Sequence, residues 1–152
     1  MSSLLHSVKV RRLIKANRKR VFAAFSNAEA LAQWFSPSVD IAIDVQVFEF
    51  VPKGQFRVRY TMPDGNQPIV GGVYEVIDEP NQIVFTWVWE APDPHADIPT
   101  RVFVEFIDRG EETEVLLTHD KLPKEACERH IAGWESTFDR IVLYLSATEA
   151  RP

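Results

Sequence analysis

The chain has 152 residues, of which 45% are hydrophobic and 26% charged, and this predicts a single globular domain over residues 1–152. No apolar run is long enough to span a bilayer, and residues 1–9 lack the apolar core of a signal peptide, so we expect no membrane partner. The single cysteine, Cys127, excludes an internal disulfide and favours a cytoplasmic location.

The net charge of −5 is unevenly distributed along the chain. Residues 1–28 hold seven basic and no acidic side chains, whereas the remainder holds 10 basic and 22 acidic ones. Such a basic segment can bind an anionic partner, or it can face acidic neighbours such as Asp40, Asp44, Glu112 or Glu114 across a sheet. We favour the second interpretation. No nucleic-acid partner is expected, because aromatic residues are not interleaved with the basic ones.

The N-terminal part of the chain predicts one strand followed by two short helices. Residues 7–16 alternate in the manner of a strand. Asn17 and Asn27 are suited to cap helices over 18–25 and 28–35, because their side-chain oxygens can accept from free backbone N–H groups.

From residue 39 onward apolar residues recur at every second position, which predicts six more strands joined by tight turns. The apolar rows that alternate along these strands are Ile41, Ile43, Val45 and Val47; Phe56, Val58, Tyr60 and Met62; Gly72, Tyr74 and Val76; Ile83, Phe85, Trp87 and Trp89; Val102, Val104 and Phe106; and Val115, Leu117 and His119. Residues 91–99 contain three prolines and few apolar side chains, which predicts a mobile loop.

Residues 123–145 predict one long helix with a single apolar stripe. The stripe consists of Cys127, Ile131, Trp134, Phe138, Ile141, Val142 and Leu145. His130 is expected on the flank of this helix. Gly133 falls in its middle, where glycine costs about 1 kcal/mol relative to alanine. A close packing contact is the favoured explanation for Gly133, and the approach of a ligand is the alternative.

The order of elements predicts an α+β fold. Short connections favour antiparallel pairing of neighbouring strands. The amphipathic strands need a cover for one face, and the C-terminal helix is the only predicted element large enough. We therefore expect a curved antiparallel sheet wrapped around a long C-terminal helix.

Four stretches of the sequence resemble a known family. They are Ala16–Phe22 with Leu31, Trp34 and Phe35 after it; Pro52–Phe56; Gly72–Ile77 running to Ile83–Trp87; and Glu112–Val115 through Thr118 and His119 to Gly133, Trp134, Phe138 and Asp139. In these residues the chain resembles the START-like, SRPBCC superfamily. It is most similar to the branch named after the C-terminal domain of the activator of the ATPase of the 90-kDa heat-shock protein.

The resemblance implies a helix-grip fold and a small hydrophobic molecule held between sheet and helix. Some members of the superfamily are cyclases or other enzymes, but the family has no universal catalytic motif that could be transferred to this sequence. The chain differs from the family pattern at Lys53–Gly54, where two glycines are usual. It also has no counterpart of the co-chaperone's separate N-terminal domain, which argues against a chaperone-activating role.

The favoured hypothesis is a binding protein for a small hydrophobic or aromatic ligand, because the predicted inner face carries few polar groups. The predicted ligand-binding residues are Val45, Phe56, Val58, Tyr60, Tyr74, Phe85, Trp87, Trp89, Val104, Phe106, His119, Trp134, Phe138 and Ile141. Alternatively, these side chains fill the space as an ordinary core. No cofactor and no metal site are predicted, since neither ligand spacing nor a phosphate-binding glycine loop is present.

Two further hypotheses belong to other classes of function. The first is a small cyclase or dehydratase that uses His119 with Tyr60 or Tyr74 as acid and base. This requires both groups in one pocket, whereas a histidine satisfied at a strand end is the more ordinary interpretation. The second is an interaction module, either a homodimer or a chaperone partner, which would need an exposed apolar patch on the outer sheet. The candidates for that patch are Leu13, Phe48, Phe50, Phe103 and Leu116.

Overall fold

The computed structural model describes residues 5–149, which form one antiparallel sheet, two short helices and one long helix. The strands are β1 (His6–Ile14), β2 (Ala42–Phe48), β3 (Gln55–Thr61), β4 (Ile69–Asp78), β5 (Gln82–Trp89), β6 (Thr100–Arg109) and β7 (Glu112–Leu122). The helices are α1 (Arg18–Phe25), α2 (Ala28–Trp34) and α3 (Cys127–Glu149). The seven strands lie in the order β1-β7-β6-β5-β4-β3-β2, so β2 to β7 form a meander and β1 adds to its last strand.

The predicted alternation is confirmed in β3, β6 and β7. In β6, for example, Val102, Val104 and Phe106 are buried while the residues between them are more exposed. Because side chains of a strand point alternately to opposite faces, one face of these regular strands is directed at the core and the other is more exposed. The core therefore lies between the sheet and α3, as the sequence predicts.

In β2 and β4, by contrast, β-bulges shift the predicted alternation. The prediction of Val47 on the inner face is wrong, because the register shifts after Val45 and Phe48 then pairs with Phe56. The shift after Tyr74 likewise leaves Val76 41% exposed.

Asparagine side chains begin both short helices, as predicted. Asn17 accepts from the backbone N–H of Arg20, and Asn27 accepts from two N–H groups at the start of α2. The helices place Phe22 and Trp34 in the interior, where the ring of Phe22 meets that of Phe106 with 5.2 Å between centroids. This packing fills one end of the space between sheet and long helix.

The long helix begins later than predicted and buries a slightly different face. A short 3₁₀ turn, Lys124–Ala126, precedes α3. Trp134, Phe138 and Ile141 are buried as expected, but Ile131 is 38% exposed and His130 is buried. The placement of His130 on the flank is wrong; its burial is possible because both of its ring nitrogens find partners, described below. No helix within residues 5–149 is long and apolar enough to cross a membrane.

The turn between β2 and β3 shows how this chain accommodates Lys53–Gly54 where the family pattern has two glycines. Lys53 adopts the left-handed conformation, with φ of 70°, and its backbone N–H donates to the carbonyl of Tyr74 at 2.7 Å. Gly54 is required for space, since a Cβ there would lie 2.1 Å from the carbonyl oxygen of Glu49. The turn thus tolerates a lysine at its first position but only glycine at its second.

Candidate functional site

A partly enclosed cavity of about 460 Å³ lies between the sheet and the first half of α3. This volume falls within the range of about 300–1,000 Å³ that is usual for sites of small molecules. The wall comprises Phe35, Pro37, Ile41, Tyr60, Met62, Pro68, Trp87, Trp89, Arg129, His130, Ala132, Gly133, Trp134, Ser136 and Thr137. The cavity is thus bounded by β3, β5, the segment after α2 and one face of α3.

Three tryptophans of the wall contact one another. The rings of Trp87 and Trp134 are tilted to one another with centroids 5.0 Å apart, and Trp89 meets Trp87 edge-on at 5.6 Å. Aromatic pairs of this geometry are worth about 0.5–1.5 kcal/mol beyond the area that they bury. These contacts form an apolar part of the cavity wall.

One polar atom of the wall is fully buried and has no partner within residues 5–149. The indole Nε1 of Trp87 is buried without a hydrogen-bond partner. Burial of the Tyr60 side chain raises the pKa of its phenol, so that group stays protonated. Trp87 belongs also to the wall of a second void of about 10 Å³, close to the volume of a single water.

A chain of polar contacts links the cavity wall to the loop between β5 and β6. The carboxylate of Asp93 accepts from both terminal nitrogens of Arg129, at 2.9 and 2.7 Å. The guanidinium carbon of Arg129 lies 4.6 Å from the ring centre of Trp89. The loop predicted to be mobile is therefore anchored to α3 beside the cavity, and the wall's one charged side chain among the described residues is already paired.

His130 joins the same chain of contacts. Its Nε2 accepts from the indole N–H of Trp89 at 3.1 Å, so its Nδ1 carries the proton and donates to the carbonyl of Ala126 at 2.8 Å. Burial lowers the pKa of His130. The ring is therefore a neutral, satisfied part of the wall rather than a free base.

His119 is also fully satisfied, and it lies behind the cavity wall. Its Nδ1 accepts from Nε1 of Trp134 at 3.0 Å. Its Nε2 is 2.8 Å from Oγ1 of Thr100, which itself donates to the carbonyl of Trp87 at 2.6 Å, so Nε2 carries the proton. Burial, with the positive charge of a protonated His130 as a smaller cause, lowers the pKa of His119 to about 2.

Gly133 borders open space. A Cβ built on Gly133 meets no atom within 4 Å outside the neighbouring backbone of its own helix. The favoured expectation of a close packing contact at Gly133 is therefore wrong. The room beside this glycine belongs to the cavity, which Gly133 lines.

The predicted ligand-binding residues divide into two groups in the structure. Tyr60, Trp87, Trp89 and Trp134 line the cavity. Val45, Phe56, Val58, Tyr74, Phe85, Val104, Phe106, His119, Phe138 and Ile141 lie outside its wall, in the packed core or against it. A direct contact of this second group with a ligand stays a prediction, and in this conformation the group supports the wall from behind.

The condition set for an enzyme is not met in this conformation. Tyr60 lines the cavity, but His119 lies behind the wall and Tyr74 borders a separate void of about 10 Å³. Of the residues proposed for an outer apolar patch, Leu13 is 54% exposed, whereas Phe48 and Phe50 pack against the core. Phe103 and Leu116 are half-buried.

The residues that sequence reasoning missed come from the ends of elements and from one rotated helix face. Phe35 and Pro37 follow α2 and Pro68 precedes β4, at positions where periodicity carries no signal. Ile41 and Met62 continue the predicted apolar rows of β2 and β3, but they were not assigned to the ligand site. Gly133 could have been predicted to line the cavity, because a glycine in the middle of a helix is destabilising and indicates a local structural requirement.

The sheet, the gripped helix and the cavity between them define a helix-grip protein of the START-like, SRPBCC class. The family model described as activator of Hsp90 ATPase homolog 1-like protein matches residues 15–146. The chain belongs to this family.

Solved structures support the same fold at low sequence identity. The AHSA1 protein of Silicibacter pomeroyi is 21% identical with a TM-score of 0.84, covering 94% of this chain and 99% of that one. A protein of Arthrobacter aurescens is 19% identical with a TM-score of 0.82, covering 93% and 86%. A protein of Chromobacterium violaceum is 17% identical with a TM-score of 0.81, covering 91% and 96%. No curated protein matches the chain.

Proposed function

We propose that this protein binds a small hydrophobic or aromatic molecule in the cavity between the sheet and α3, without transforming it. The single observation that carries the proposal is a cavity of about 460 Å³ walled by three tryptophans and left open at Gly133. An ordinary core packs to the density of an organic crystal, so a partly enclosed apolar cavity of this size favours a binding site for a small molecule.

Gly133 supports ligand binding rather than imperfect packing between the sheet and α3. Alanine at position 133 would suit the helix better by about 0.5–1 kcal/mol, and there is room for its methyl group. The lower helix stability that glycine causes at position 133 is explained if a ligand occupies the space beside it. Burial of a planar ligand against Trp87 and Trp134 would then supply the hydrophobic driving force.

The polar groups of the cavity wall favour ligand binding over catalysis. His119 and His130 are neutral with both ring nitrogens bonded, and Arg129 is paired with Asp93. Tyr60 is kept protonated by burial. A general base needs a free lone pair near the substrate, and none of these groups offers one in this conformation.

The direct test is native mass spectrometry of the protein purified from its own host, before and after denaturing extraction. The proposal expects a bound mass in the native spectrum and the same compound in the extract. An apo mass from the host, together with no saturable binding of any apolar aromatic probe, would contradict the proposal. The cytoplasmic location suggested by the single cysteine stays a prediction.

A further inference from the structure

The segment between α2 and β2, residues 35–41, forms one side of the cavity. Its residues Phe35, Pro37 and Ile41 line the cavity. The segment is neither helix nor strand, so no regular ladder of hydrogen bonds fixes its distance from α3. Pro37 has no backbone N–H of its own to contribute. The position of this side of the cavity therefore depends on individual contacts made by its neighbours.

Arg140 of α3 contacts four acceptor atoms within residues 33–38. Its Nη1 donates to the hydroxyl of Ser36 and lies 3.4 and 3.2 Å from the carbonyl oxygens of Ser36 and Ser38. Its Nη2 donates to the carbonyl of Gln33 at 2.9 Å. The last carbonyls of a helix lack partners within that helix, and an arginine is a favourable donor to them. The side chain thus joins α3 to the end of α2 and to both residues that flank Pro37.

The hydroxyl of Ser36 connects these contacts with one another. Ser36 is 1% exposed, and its hydroxyl donates to the carbonyl of Ser38 at 2.9 Å while it accepts from Arg140. The carbonyl of Ser38 also accepts from the backbone N–H of Ile41 at 3.1 Å. A shift of this segment away from α3 would leave buried polar atoms unpaired, which is costly.

Arg140 lies about two helical turns after Gly133, so both residues project from the same side of α3. Arg140 itself does not line the cavity. Among the described residues its hydrogen-bond partners are backbone carbonyls and one hydroxyl, without a carboxylate. This distinguishes it from Arg129, which is paired with Asp93. The contacts of Arg140 therefore serve the position of the backbone beside the cavity.

From these contacts we infer that Arg140 is a positioning residue of the ligand site. Together with Ser36 it holds Phe35 and Pro37 at the distance from α3 that a ligand in contact with both sides requires. The inference rests on the proposed function, because it assigns a role to a residue that acts through the wall of the same cavity. Loss of the guanidinium should therefore weaken ligand binding, although Arg140 does not touch the cavity.

The test is a calorimetric titration of the full chain and its variants with acetylnaphthalene, a planar apolar probe. Arg140→Met removes the donors and keeps an unbranched side chain, and Ser36→Ala removes the hydroxyl alone. We expect Arg140→Met to weaken binding at least about fivefold and Ser36→Ala at least about threefold. The double variant should bind about as weakly as Arg140→Met, because both substitutions break the same network.

Arg12→Met is the matched control, because Arg12 also binds α3 but from β1. Its guanidinium donates to Asp139 at 2.7 Å and to the carbonyl of Glu135 at 3.3 Å, and none of these residues lines the cavity. This variant should keep the dissociation constant within about twofold, whatever its free energy of unfolding. Amide exchange over residues 35–41 should accelerate in Arg140→Met and not in Arg12→Met.

Each contrary result has a distinct meaning. If the unmodified protein, Arg140→Met and Ser36→Ala all bind the probe equally well, Arg140 has no positioning role and the proposed function stands. An equal loss of affinity in Arg12→Met would assign the effect to a general displacement of α3 and would also overturn the inference. Should Arg140→Met fail to fold, Ser36→Ala decides by the same criterion. If the unmodified protein does not bind the probe, the proposed function fails and the inference fails with it.

Discussion

The indole N–H of Trp134 donates to Nδ1 of His119 at 3.0 Å, and this contact determines the protonation state of a histidine in the core. With Nδ1 accepting, the proton sits on Nε2 and is donated to Thr100 at 2.8 Å. The nearby ring of His130 lies edge-on at 4.9 Å between centroids and accepts a second indole N–H, from Trp89. Two neutral imidazoles thus support the cavity wall.

The histidine pair predicts a loss of stability in mild acid. The folded pKa of both His119 and His130 is lowered, mainly by burial, so below about pH 6.5 the unfolded chain binds protons that the native chain does not. Stability is therefore complete above this range and falls as pH decreases. For each histidine that stays neutral, we expect a loss of about 2 kcal/mol between pH 7.5 and 5 in urea unfolding.

An NMR titration of the histidine ring protons checks the same prediction independently. The resonance of His119 should keep its neutral position down to pH 5. A flat stability profile over this range, or a midpoint near 6.5 for His119, would show that the two rings are not held neutral.

The hydroxyl of Thr100 predicts a second effect on stability. Thr100→Val keeps the shape of the side chain but removes the group that accepts from His119 and donates to the carbonyl of Trp87. Leaving such buried groups unpaired should lower the free energy of unfolding by about 1–3 kcal/mol.

Thr118 provides the control for Thr100, because it lies on β7 with its side chain on the opposite face from His119. Thr118→Val should change the free energy of unfolding by less than about 0.5 kcal/mol. Equal effects of the two substitutions would mean that the Thr100 network contributes no more than a surface hydroxyl.

The ion pair of Asp93 with Arg129 predicts how the loop over residues 91–99 is held. Burial alone raises the pKa of Asp93, but the hydrogen bonds from Arg129 and from the backbone of His95 bring it below its ordinary value. The anchoring is thus present above the usual carboxyl range and is lost as pH falls through the lowered pKa. Asp93→Asn should speed amide exchange in the loop and lower stability by about 1–3 kcal/mol.

Asp97→Asn is the matched variant, since it removes the same charge from an exposed position of the same loop. Amide exchange in this variant should resemble that of the unmodified protein. If Asp93→Asn also leaves exchange unchanged, the loop is held by its backbone contacts, such as that between Trp89 and Ala96, rather than by the ion pair.

Gly133 predicts a stabilising substitution. Gly133→Ala should raise the free energy of unfolding by about 0.5–1 kcal/mol, because it restricts the unfolded chain and meets no atom in the folded one. Gly72→Ala is the contrast, as its Cβ would lie 2.0 Å from the carbonyl oxygen of Thr86. Calorimetric unfolding separates the two; a destabilised Gly133→Ala protein would mean that the space beside α3 is not open.

The fold was predictable because each element carries its own local signal. Alternation exposed the inner faces of β3 and β6, and two asparagines marked the starts of the short helices. The long helix was recognisable by its stripe. Its start and its rotation were misjudged. The rotation was wrong because an isoleucine is a better core residue than a histidine until the indole partner of His130 is known.

The cavity could be predicted only in outline. The part of the sheet's inner face that stays open depends on how α1 and α2 fill one end of the space between the sheet and α3 with Phe22 and Trp34. The periodicity of a single segment does not predict this packing. Four predicted residues therefore line the cavity while Phe138 and its neighbours complete the core.

The most direct test of ligand binding in this cavity is a parallel calorimetric titration of the unmodified protein and the Gly133→Leu variant with acetylnaphthalene. The leucine would extend into the space beside α3 that is now empty. We predict saturable one-to-one binding to the unmodified protein with a negative heat-capacity change, and at least about tenfold weaker binding to the variant. Equal binding to both proteins would place the ligand elsewhere, and no binding to either would contradict a ligand site between the sheet and α3.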